Sequence, residues 1–134
     1  MDARLRQSVR DRAELRCEYC HLPERVGELP FQIDHIIAAQ HGGPTSEDNL
    51  AFTCARCNRY KGPNLSGVDA ESGQVVRLFH PRANVWAEHF AWNGPWLAGR
   101  TAIGRATIQA LRLNRTDAIA VRQLLIREGV YPLD

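Results

Sequence analysis

Long apolar runs are missing from this chain. No stretch of its 134 residues approaches the roughly twenty consecutive apolar residues that a bilayer-spanning helix needs. The arginine-rich start also lacks the apolar segment that directs secretion. Charge imbalance is nearly missing too: 17 Lys and Arg against 15 Asp and Glu leave +2, so net charge alone does not announce a polyanionic partner. Internal repeats and low-complexity tracts are absent, which argues against solenoid and fibrous architectures. Cysteine is scarce: there are four, and every one lies in a Cys-x-x-Cys pair. The chain is expected in a reducing cytoplasm, where paired thiols bind metal more often than they form disulfides. Two disulfides in a secreted protein are the lesser alternative.

What is present is 44% hydrophobic and 24% charged, the composition of an ordinary globular protein. The length suits one domain, 1–134, with a modest core. Residues 2–16 predict a helix, because Leu5, Val9 and Ala13 recur at i, i+4 and i+8 and Asp2 can cap its start. Arg4, Arg6, Arg10, Arg12 and Arg16 crowd this segment, which reads equally as phosphate-neutralising or as a solvated helix face. The segment F-Q-I-D-H-I-I (31–37) is short, aromatic and β-branched, and predicts a strand that buries Phe31 and Ile33. A loop spans 38–48, a second strand 49–53, and a short helix 55–61, stopped by Gly62-Pro63.

Beyond a turn-rich stretch at 62–74, strands are expected at 75–79 and 85–92, joined by 80–84. Asn93-Gly94 is a hairpin signal, so a third strand is expected at 96–100. A helix capped by Thr101 should run to about Leu113, and a last helix should start at Thr116-Asp117 and end at Gly129.

The chemistry concentrates between Cys17 and Lys61. Cys17/Cys20 and Cys54/Cys57 offer the four thiolates of a structural zinc site, and four sulfurs leave no open position for a reacting water. The 33 residues between the pairs must therefore fold as a unit of their own. Inside that unit stands Asp34-His35. Asp34 is a hard oxygen ligand suited to magnesium, and neutral His35 can take a proton from water near neutral pH. On a regular strand the two side chains point to opposite faces, so a shared target requires a distorted strand end. Asn58 sits i+4 from Cys54 on the predicted helix and offers a second hard ligand, although taken alone an asparagine there reads better as a cap or turn residue. Arg56, Arg59 and Lys61 are candidate phosphate contacts. Ordinary solvated charges on a short helix weigh about the same.

Taken together, C-x-x-C, I-D-H-I-I, G-G, D-N-L and C-x-x-C-N-R-x-K-G over roughly 17–62 resemble the HNH endonuclease family, in its four-cysteine, zinc-containing branch. The resemblance implies an α+β fold with a ββα-metal core at about 17–62 and a C-terminal extension at about 63–134. That extension would add a β-hairpin and two helices. The resemblance also implies His35 as general base, Asp34 and Asn58 as ligands of one catalytic Mg²⁺ or Mn²⁺, and Asn49 as the brace of the loop that carries the histidine. The implied activity is DNA phosphodiester hydrolysis, on double-stranded DNA, leaving 5′-phosphate and 3′-hydroxyl ends. Cutting both strands would call on a homodimer, which no motif reveals. The rival is a non-catalytic zinc module that binds nucleic acid, for which Asp34, His35 and Asn58 would have no use.

Overall fold

In the computed structural model, which describes residues 1–131, the chain divides into two compact units. The first holds Met1–Asn64 together with His80–Ala83; the second holds Leu65–Phe79 and the chain from Asn84 on. Among the described residues no helix is long and apolar enough to cross a membrane.

The first unit begins with α1 (Ala3–Arg12), capped by Asp2, whose carboxylate accepts from the Leu5 N–H at 2.8 Å. Its apolar stripe lands on β2 (Leu50–Thr53). Val9, Leu50 and Phe52 are buried together, and Leu5, Ala13, Phe31 and Ile33 pack around them. Each fully buried apolar side chain there contributes about 1.5–3 kcal/mol. β2 pairs antiparallel with β1 (Gln32–His35), in a register that sets Ile33 opposite Phe52 and His35 opposite Leu50. α2 (Ala55–Lys61) follows directly and ends at Gly62, whose N–H bonds to the Asn58 carbonyl at 3.0 Å with φ at +52°. A side chain would strain that backbone, so glycine marks the stop.

The N-terminal arginines turn out largely to hold the fold. Arg10 makes a two-point contact with Glu24 at 2.9 and 3.1 Å and lies over the Phe52 ring. Arg12 donates to the carbonyls of Glu47 and Leu50, and Arg16 to that of His21. Arg4 and Arg6 are exposed. A guanidinium is a rigid fork of five donors, which suits it to collecting carbonyls at loop ends.

The second unit opens with β3 (Ser66–Val68) paired antiparallel to β4 (Val75–Arg77). The intervening turn is built on Asp69, which is fully buried and accepts from Ser72 Oγ at 2.7 Å. The same carboxylate takes a two-point contact from Arg105 at 2.8 and 3.1 Å. The chain continues as α3 (Trp86–His89), β5 (Phe90–Asn93), β6 (Trp96–Gly99), α4 (Ala102–Ala110) and α5 (Thr116–Arg127). Thr101 caps α4, and Gly129, at φ +73°, closes α5. Gly104 admits the His89 carbonyl so closely that a Cβ would stand 2.0 Å from its oxygen.

Two strand expectations need correction here. Val75–Arg77 pairs with Ser66–Val68, inside the stretch read as turns, and not with 85–92. Glycine at position 67 hides that strand, and it is needed because α4 and Leu78 press within 3.3 Å of where its Cβ would be. Residues 86–89 form a helical turn and only 90–93 a strand. In an extended strand Trp86 and Phe90 would stand about 13 Å apart. The helical turn brings their rings to 5.1 Å and lets Trp86 also meet Trp92 at 5.6 Å, so aromatic packing overrides the β-rich composition. The hairpin at β5 and β6 forms with Gly94-Pro95 as its two-residue loop.

Candidate metal and catalytic site

The four cysteines meet, all buried, with their sulfurs within 4.8 Å of one another. The Cys17–Cys20 turn is pinned by Cys17 N–H to the Leu22 carbonyl and His21 N–H to the Cys17 carbonyl. Glu18 ties it to β2 twice: its N–H donates to the Phe52 carbonyl at 2.9 Å, and its carboxylate accepts the Phe52 N–H at 2.8 Å. Arg82 pairs with the same carboxylate. Cys54 serves as N-cap of α2, its sulfur accepting from the Cys57 N–H at 3.4 Å.

The geometry suits zinc. Tetrahedral sulfurs at about 2.3 Å from an ion lie about 3.8 Å apart, and Cys20 Sγ and Cys54 Sγ are 3.8 Å apart. Burial pushes the Cys17 thiol up, and the neighbouring thiols raise Cys57. Hydrogen bonds from Cys17, Cys20 and Cys57 converge on Cys54 and hold it far below its ordinary value. Four buried thiols gathered this closely can, once deprotonated, give a cation a complete sulfur shell.

Asp34, Asn58 and Lys61 come together where β1 faces α2. Gln32 and Asp34 share one face of the strand, and Asn58 and Lys61 share one face of the helix. Asn58 Nδ2 donates to Gln32 Oε1 at 2.8 Å, and Lys61 Nζ lies 3.3 Å from Asp34 Oδ2. This cross-link sets the Asp34 carboxylate on the strand face that meets Asn58. Two oxygen donors of this kind suit magnesium, which keeps several of its waters and takes few protein ligands.

His35 is the last residue of β1, and its Nε2 lies 2.8 Å from Thr45 Oγ1 in the following loop. Asn49, buried just before β2, holds that loop in three places. Its Oδ1 accepts from Ile37 N–H at 2.9 Å, and its Nδ2 donates to the carbonyls of Ile37 (2.9 Å) and Pro44 (2.8 Å). Gly43 completes the turn, because a Cβ there would fall 1.7 Å from the Ile37 carbonyl oxygen. Thr45 and Gln32 are the two contacts that reading the sequence missed; the only signal for Thr45 was its place just after Gly43-Pro44.

The expected phosphate contacts divide. Arg56 and Arg59 are exposed on α2. Lys61 is only 2% exposed, with its ammonium against Asp34, the His35 carbonyl (3.3 Å) and the Gly62 carbonyl (3.4 Å). It faces inward, unlike Arg56 and Arg59 on the same helix.

Two strands and a helix closed by a cysteine cluster, with carboxylate and amide groups at the strand–helix junction and an imidazole at the strand end, define a ββα-metal unit of mixed α/β class. Residues 17–64 match the family model described as HNH endonuclease, and they form an HNH domain. No curated protein and no solved structure matches the chain. The domain points to a nuclease-type function with nucleic acid as substrate.

Proposed function

We propose that this chain is a metal-dependent DNA endonuclease with His35 as general base. One divalent cation, Mg²⁺ or Mn²⁺, would be held by Asp34 and Asn58, and a structural Zn²⁺ by Cys17, Cys20, Cys54 and Cys57. One observation supports this reading: within the HNH segment, Lys61 of α2 holds Asp34 of β1, Asn58 of the same helix is tied to Gln32 on the Asp34 face of the strand, and the next residue, His35, has its ring on Thr45. When bound, the divalent cation supplies charge stabilisation at the scissile phosphate and at the departing 3′ oxygen.

The rest falls to the protein's own residues. In the tautomer whose Nε2–H donates to Thr45 Oγ1, Nδ1 keeps its lone pair available to a water. That nitrogen takes a proton as the water oxygen attacks phosphorus and the bond to the 3′ oxygen breaks. The ends are a 5′-phosphate and, once the departing oxygen is protonated, a 3′-hydroxyl. Asn49 keeps the loop that carries Thr45 in place, and the exposed Arg56 and Arg59 contact backbone phosphates of double-stranded DNA.

A second reading, a nucleic-acid-binding zinc module without catalysis, draws on the Lys61 ammonium that already neutralises Asp34. Zinc-loaded protein incubated with supercoiled plasmid decides between them. Cleavage that requires Mg²⁺ or Mn²⁺ and falls at least about a hundredfold in His35→Ala is expected, in line with the usual contribution of a general base. Plasmid retardation without cleavage in both proteins would establish the module.

A further inference from the structure

Resting on the nuclease reading above, we infer that Lys61 is a positioning residue that holds the metal-binding carboxylate of Asp34 and the backbone of His35 in one fixed relation. The argument starts from cost. A buried ammonium is tolerated only where acceptors compensate it, and Lys61 is 2% exposed on a helix whose neighbours Arg56 and Arg59 reach solvent. Its three acceptors are specific. They are the Oδ2 of Asp34, the carbonyl oxygen of His35 and the carbonyl oxygen of Gly62, at 3.3, 3.3 and 3.4 Å. The first two belong to the consecutive residues that the proposed chemistry needs on one target, although a regular strand would turn their side chains apart.

One cation therefore grips the side chain of the first and the main chain of the second. It approaches Asp34 from the protein side, whereas the carboxylate itself keeps 20% of its surface open. Oδ2 is held from within, which directs Oδ1 outward to an arriving ion. Carboxylates that bind metal are commonly fixed by such a second contact, and losing it typically costs ten- to a hundredfold in affinity. The helix phase makes this feasible: Lys61 lies i+7 from Cys54 and i+3 from Asn58, so the cysteine cluster that anchors α2 also anchors the ammonium.

The test reads Mn²⁺ binding directly, from the EPR signal of free Mn²⁺ titrated with zinc-loaded protein, beside plasmid cleavage. The proteins are wild type, Lys61→Met, Lys61→Arg and Asp34→Ala. Lys61→Met is expected to bind Mn²⁺ at least tenfold more weakly. Its cleavage should recover in part as Mn²⁺ is raised, and Lys61→Arg, which keeps a cation, should sit between it and wild type. Lys61→Met that binds Mn²⁺ as tightly as wild type, or more tightly, overturns the inference and makes Lys61 a resident competitor of the metal. A Lys61→Met protein that loses zinc or its far-ultraviolet dichroism assigns the residue to the fold alone, and overturns it equally. If Asp34→Ala binds Mn²⁺ like wild type, Asp34 is no ligand and the inference falls with it. Wild type that binds Mn²⁺ through Asp34 yet leaves plasmid intact defeats the nuclease reading, while the binding data still decide the role of Lys61.

Discussion

The two units of this protein reach stability by different means. In the first, a short helix and two four-residue strands surround a small apolar cluster of Val9, Leu50 and Phe52, and four thiols close it. In the second, no such thiol cluster occurs among the described residues. There, the buried Asp69 carboxylate and the buried Arg122 guanidinium, which donates to the Pro95 and Leu113 carbonyls, organise the turns, and a run of aromatic rings from Phe79 through Phe90, Trp86 and Trp92 to Tyr131 packs together. A unit clamped through these four thiols, as the proposed zinc would do, is free to place polar groups such as Asp34, Asn58 and Lys61 at its strand–helix junction. Stability drawn from a metal leaves the organic core less to do, and a site can occupy part of it.

Removing zinc breaks this comparison most severely. Structural zinc in small domains contributes on the order of 10 kcal/mol, more than the buried cluster of Val9, Leu50 and Phe52 can replace. Chelation, or Cys57→Ser, is expected to erase amide protection across 17–64 and leave protection in α4, β5 and β6. Hydrogen exchange read by mass spectrometry on the full chain checks this. Uniform loss of protection in both units would show that the second depends on the first.

Acid separates the units in the same direction. Protons compete with zinc for the thiolates, so the first unit loses its clamp as pH falls. Asp69 behaves differently: the Arg105 guanidinium and the Ser72 hydroxyl hold its carboxyl well below its ordinary value near 3.8. A carboxyl depressed in the folded state contributes stability above its unfolded value and loses it only as pH falls through the folded one. The Tm difference between wild type and Asp69→Asn in the second unit should therefore persist at about pH 4, after the first unit has released zinc. A difference that vanished on the way from pH 7 to pH 5 would contradict this assignment of the ion pair.

Much of the first unit was legible in the sequence because its signals are local and chemically specific. Two Cys-x-x-Cys pairs, Asp34-His35 and Asn58 at i+4 from Cys54 depend on spacing, and spacing survives folding. Lys61 was read as solvent-facing because lysine usually is. Its helix phase, i+4 from Cys57 and i+7 from Cys54, already turned it toward the cysteine side. Thr45 was illegible, because which loop residue meets His35 depends on a turn that Asn49 and Gly43 shape from a distance. In the second unit β3 was missed for want of hydrophobic alternation at Ser66-Gly67-Val68. The helical turn at 86–89 is a choice made by ring packing, which composition cannot report.

Within the first unit, the brace and the clamp can be told apart. Asn49→Ala deletes three hydrogen bonds to the backbone of the loop, at about 1 kcal/mol each, so about 3 kcal/mol of stability should be lost. Zinc content should remain complete, since no cysteine is touched. Urea unfolding with parallel zinc assay checks this, and cleavage should fall with the loop. An Asn49→Ala protein that released zinc would merge brace and clamp into one cooperative element.

Thr45→Val is the smallest perturbation and the sharpest. Thr45 is exposed, and valine keeps its shape while removing the hydroxyl, so stability should change by less than about 0.5 kcal/mol. What should change is the histidine. The proposed chemistry uses the arrangement in which Oγ1 accepts from Nε2–H and Nδ1 is unprotonated; without the hydroxyl that arrangement loses its partner and the ring turns more freely. Proton transfer from water then starts from the right arrangement only part of the time. A fall of about tenfold in kcat with KM unchanged is expected, since the contact orients a base and does not bind substrate. Thr45→Ser, which restores the hydroxyl, should recover most of the rate. Imidazole nitrogen-15 shifts report the tautomer of His35 directly in each variant. Wild type with Nδ1 protonated would reverse the roles of the two ring nitrogens and move the attacking water to the other side of the ring.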